Sequence, residues 1–75
     1  MTNQRTSLIG RTLNILYKNY RGVVEKRRIT IMSTFEGKTE YHPTHQQFIK
    51  AHYHERNDTR DFAVDDIIQF EFEEE

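Results

Sequence analysis

In residues 67–73 (IIQFEFE) apolar and polar side chains alternate from Ile68 onwards. Ile68, Phe70 and Phe72 fall on one side of an extended chain, and Gln69, Glu71 and Glu73 on the other. Period two is the pattern of a strand with one buried and one wet face. A chain built of such strands must stack them into a sheet. Four further segments carry the same signal. Residues 23–32 (VVEKRRITIM) are rich in β-branched residues and flanked by turn residues, so a strand is expected there. Leu13, Leu16, Tyr17 and Tyr20 fit a helix face, whereas Leu13, Ile15 and Tyr17 fit a strand. The Asn19-Tyr20-Arg21-Gly22 turn that follows favours the strand, over 13–18. Residues 47–55 form the third expected strand and 60–64 the fourth, joined by a polar turn at 56–59.

Punctuation completes this reading. Glu36-Gly37-Lys38 is expected to turn, Pro43 to break regular structure around 41–45, and Asp65-Asp66 to form a bend or one helical turn. Residues 1–11 are expected to be a short helix or a disordered arm, 12–72 the folded domain, and 73–75 an acidic tail. The expected fold is mainly β: a small, five-stranded, strongly bent antiparallel sheet or barrel. Closure would remove the exposed edges that so short a chain can ill protect.

With 75 residues the chain makes one domain, and only 35% of them are hydrophobic. A domain this small buries about 60% of its unfolded surface, so its margin of stability is thin. No apolar run approaches the ~18 residues of a membrane span, and the absence of cysteine excludes disulfides and thiolate zinc sites. The first residues lack a secretory leader pattern, so a cytoplasmic location is expected. The net charge of −1 conceals an asymmetry. Residues 1–30 hold seven bases and one acid (7 − 1 = +6), and residues 31–75 four bases and eleven acids (4 − 11 = −7). A basic patch would attract phosphate, nucleic acid or an acidic protein, unless the two halves pair with each other.

Candidate functional residues follow from alternation. On the third strand Ile49, Ala51 and Tyr53 share the core face, and Phe48, Lys50, His52 and His54 the other. An aromatic ring interleaved with cations on an open sheet face is one way to hold single-stranded nucleic acid. The competing reading puts Phe48 over a second small core. Arg27 shares its face with Ile29 and Ile31 and needs an anionic partner, either Glu25 or a bound anion. His52 and His54 lie two apart, with His42 and His45 in the proline loop, which is a weak metal pattern. No nucleophile motif or glycine-rich phosphate loop is present, so neither catalysis nor a cofactor is expected.

The ordered set Tyr17; Arg21-Gly22; Arg27-Arg28-Ile29; Gly37-Lys38-Thr39-Glu40-Tyr41-His42-Pro43; Gln46-Gln47-Phe48-Ile49-Lys50-Ala51; and Arg60-Asp61-Phe62-Ala63 resembles the WYL domain family, above all its short stand-alone bacterial and phage versions. The signature tryptophan-tyrosine-leucine triplet stands here as Gln47, Phe48 and Ile49. The resemblance implies an Sm-like barrel and a role in transcription regulation, sensing a nucleic-acid or nucleotide ligand. It carries over Tyr17, Arg27, Phe48, Arg60 and His42 as ligand-binding positions; Lys50 joins them from the strand pattern. The alternative is a protein-interaction module, such as a phage or mobile-element inhibitor of a host protein. Under either reading the expectation includes a homodimer through edge strands and no membrane partner.

Overall fold

The computed structural model describes residues 8–40 and 42–73. Residues 1–7 of the expected arm, Tyr41 of the resembling block, and Glu74 and Glu75 of the tail lie outside the described residues. The chain runs β1 (Thr12–Lys18), β2 (Val24–Thr39), β3 (His42–Tyr53), β4 (Asp58–Ala63), a single 3-10 turn (Val64–Asp66) and β5 (Ile67–Phe72). All pairings are antiparallel, in one five-stranded sheet of order β4-β3-β2-β1-β5. No helix among the described residues is long and apolar enough to cross a membrane.

The sheet is bent but open. Closing it into a barrel would require β4 and β5 to pair, and they stand at opposite ends of the order. The bend is nevertheless strong. Across a flat sheet β1 and β4 would lie about 14 Å apart, three strand spacings. Instead the Tyr17 ring meets the Phe62 ring edge-on at 5.0 Å, and the Ala63 N–H donates to Tyr17 Oη at 2.9 Å. A β-bulge between Ile31 and Ser33 supplies part of this curl, because an extra residue on one strand increases the local twist.

The concave face holds the main core: Leu13, Ile15 and Tyr17 from β1, Ile29 and Ile31 from β2, Ile49, Ala51 and Tyr53 from β3, and Phe62 from β4. Alternation thus assigned the inward residues of β1, β2 and β3 correctly. The first turn also matches. Asn19 Oδ1 accepts the N–H groups of Arg21 and Val23, and Gly22 takes φ +85°, a left-handed backbone suited to glycine.

Four local expectations need correction. Residues 8–11 form a turn rather than a helix, with Gly10 donating to the Ile31 carbonyl and Arg11 to that of Leu8. Gly37 does not turn the chain; it sits inside the 16-residue β2, paired with Gln46. Pro43 does not interrupt β3, which starts at His42. The reason is that β4 covers only residues 48–53 of β3, so Pro43 lies on a stretch with β2 on one side alone, where a missing N–H is tolerated. Finally, Phe70 and Ile68 are not half-buried. They are 62% and 53% exposed, because β5 is an edge strand that outruns the core.

Candidate functional site: an arginine-lined cleft

Arg27 and Arg60 reach the concave face by the same alternation that fills the core. Arg27 precedes Ile29 by two residues on β2, and Arg60 stands opposite Ala51 on β4. Both guanidinium groups come to rest over one ring, that of Tyr53, at 5.1 and 5.9 Å from its centroid. Strand order and register cause this convergence: β3 lies between β2 and β4, Tyr53 pairs with Ile29 on one side and Asp58 on the other, and Arg27 and Arg60 stand two residues from those partners on the same face. The result is a cleft of about 510 Å³. Its walls are Tyr17, Arg27, Tyr53, Arg60 and Phe62, with Asn19, Tyr20 and Arg21 of the first turn, Arg56 of the β3–β4 turn, and Thr39 and His42 at one end.

Charge in the cleft is predominantly positive. Four arginines (Arg21, Arg27, Arg56 and Arg60) line it together with two acidic residues, Glu25 and Asp61. Asp61 is already paired with Lys50 at 3.2 Å. Glu25 pairs with Arg27, and Asp58 with Arg60 at 3.2 Å. Arg21 and Arg56 make no ion pair among the described residues. Arg27 is nearly enclosed, its side chain 13% exposed, whereas its partner Glu25 is 56% exposed. An ion pair with one mobile, solvated member is weak. Each guanidinium also keeps donors that its single carboxylate does not use. An incoming phosphate can therefore take bidentate bonds without breaking a buried network.

Tyr17 forms part of the cleft floor. Burial raises the pKa of its phenol, the Ala63 N–H opposes that shift, and Asp66 reinforces it. The hydroxyl stays protonated at neutral pH. It accepts from Ala63 and has no protein acceptor among the described residues for its own hydrogen. His42 closes one end, its Nε2 2.9 Å from Asp66 Oδ2 and its ring edge-on to Phe48 at 5.8 Å.

Four of the six expected ligand-binding residues thus meet in one place: Tyr17, Arg27, Arg60 and His42. Phe48 and Lys50 do not. Phe48 is 0% exposed on the opposite face, stacked on Phe35 at 5.0 Å. It has no free ring face to offer a base, and it fills the second small core that was the competing reading. Lys50 lies on that same side, with its Nζ 5.9 Å from the Phe35 ring centroid and its ion pair to Asp61. Tyr20, 56% exposed beside Arg21, and the arginine pair's shared ring Tyr53 were missed. The Tyr20-Arg21 dipeptide in a glycine-ended turn was the available signal. Among the described residues no cluster of three or more histidines and carboxylates is placed to hold a metal.

No protein-family model, no curated protein and no solved structure matches this chain.

Proposed function

We propose that the chain is a non-enzymatic binding module whose cleft takes a phosphate-bearing ligand: single-stranded nucleic acid or a nucleotide. One observation carries this reading, the convergence of Arg27 and Arg60 on Tyr53 in a cleft that also holds Arg21 and Arg56. Arginine forks suit phosphate oxygens. Tyr20 stands at the mouth beside Arg21, 5.8 Å from its guanidinium. Tyr17 donates its hydroxyl hydrogen from the floor. The resemblance to WYL domains supports the same reading through Tyr17, Arg27, Arg60 and His42, and with it a regulatory role exerted through a partner or by sequestering the ligand.

Fluorescence anisotropy with a 5′-labelled single-stranded oligonucleotide tests this. Binding is expected to weaken log-linearly with salt, with a slope that reports the phosphates contacted. Arg27→Ala should lower affinity roughly tenfold and flatten the slope, the loss of one charge-assisted contact. Equal affinity and slope for wild type and Arg27→Ala would remove the cleft from consideration.

A further inference from the structure

We propose that the open edge of β5 pairs with β5 of a second copy of this chain, antiparallel about a two-fold axis at Phe70, joining the two five-stranded sheets into one. This inference is independent of the ligand in the cleft.

The backbone comes first. The Glu73 N–H donates to the Thr12 carbonyl at 2.9 Å, so Glu73 turns its amide towards β1. In an antiparallel ladder successive residues point their backbone groups to opposite sides. Glu71 therefore also faces β1, and Phe72 and Phe70 present their N–H and C=O groups to the open edge. Such an edge is a template for another strand.

The side chains select the strand that fits. With Phe70 opposite the second copy's Phe70, Ile68 stands opposite Phe72, and Gln69 opposite Glu71. The apolar residues thus meet apolar residues on one face, including an aromatic pair at the axis. On the other face an amide meets a carboxylate, which it can hydrogen-bond. Glu73 falls opposite Ile67, and it is already held by Arg28 (2.6 and 2.9 Å) and Asn14 (3.0 Å) of its own chain. No carboxylate in residues 67–73 opposes another. A sequence that is self-complementary in a two-fold register fits its own copy. Ile68 and Phe70, among the most exposed large apolar side chains described, are the surface this pairing covers.

The chain has no cysteine, which makes the register directly testable. Two single variants, Gln69→Cys and Glu71→Cys, are prepared, one carrying an affinity tag, and mixed under mild oxidation. The facing, non-hydrogen-bonded positions would bring their Cα atoms to about 4.5 Å, within disulfide reach. The expected result is preferential formation of the mixed disulfide over either homodimer. Sedimentation of the wild-type chain should show a concentration-dependent dimer. Phe70→Asp, which sets two carboxylates against each other at the axis, should weaken that dimer roughly a hundredfold while leaving the circular dichroism spectrum unchanged. A wild-type chain that stays monomeric up to the solubility limit would overturn the proposal. So would a dimer that Phe70→Asp leaves intact, or random disulfide formation between the cysteine variants.

Discussion

The two edges of the sheet, β4 and β5, have the same length of six residues and opposite surfaces. β4 exposes Asp58, Thr59, Arg60 and Asp61 and buries Phe62 and Ala63. Its charges are paired, Asp58 with Arg60 and Asp61 with Lys50, and its C-terminal end is clamped by Tyr17 from across the bend. β5 exposes Ile68 and Phe70 and, among the described residues, pairs with β1 alone. Charge guards an edge against unwanted strands, whereas exposed aromatic and β-branched residues invite them. Under the two proposals made above, one edge serves a ligand cleft and the other a strand partner. The bend explains the division, because it curls β4 over the core.

Substitutions can break or sharpen this contrast. The largest effect is expected at Phe62, which is 4% exposed and packs against both Tyr17 and Tyr53. Phe62→Ala should cost about 3–5 kcal/mol, enough to unfold much of so small a domain. Phe70→Ala, measured at a concentration where the chain is monomeric, should cost no more than about 0.5 kcal/mol, as for an ordinary surface change. Chemical denaturation of the two variants gives both numbers. Equal losses would mean that β5 is as much a part of the core as β4.

Next in size is Tyr17→Phe. It keeps the ring against Phe62 but leaves the Ala63 N–H without its acceptor, at a cost of about 1–3 kcal/mol. Amide exchange should quicken at Ala63 more than in β1. Protection unchanged at Ala63 would show that the clamp does not hold β4.

The smallest effect lies at the end of β5. Hydrogen bonds from Arg28 and Asn14 lower the Glu73 carboxyl from its ordinary 4.5 to about 2. A carboxyl whose folded-state pKa is depressed stabilises the fold above its unfolded value and loses that contribution as pH falls to the folded one. Stability should therefore decline between pH 4.5 and about 2, in a part that Glu73→Gln lacks. Thermal melts across that window compare the two chains. Parallel pH profiles for wild type and Glu73→Gln would contradict the assignment.

Much of this was legible from alternation alone. It located the five strands, the inward residues of β1 to β3, the placement of Arg27 among them, and the mainly β class. Where it failed, tertiary context had overridden local pattern. The half of β2 from Ser33 to Thr39 is polar apart from Phe35, and it is a strand because β3 pairs with it. Pro43 and Gly37 are breakers in isolation, but each occupies a place where the ladder does not need what it lacks. Phe70 and Ile68 look like core residues because period two cannot tell an edge strand from a central one. Phe48 reads as ligand-facing because nothing local reveals Phe35 stacked upon it from β2. The cleft itself needed the strand pairing: Arg27 and Arg60 are 33 positions apart (60 − 27), and only the order that places β3 between β2 and β4 brings both to Tyr53.

The division between the two edges is tested most directly by amide chemical-shift mapping of the isotopically labelled chain. Titration with a short single-stranded oligonucleotide should move the resonances of Tyr17, Tyr20, Arg21, Arg27, Tyr53 and Arg60. It should leave those of residues 69–72 in place, which should respond instead to dilution. Oligonucleotide-induced shifts concentrated on β5, or none in the cleft at saturating ligand, would contradict the account.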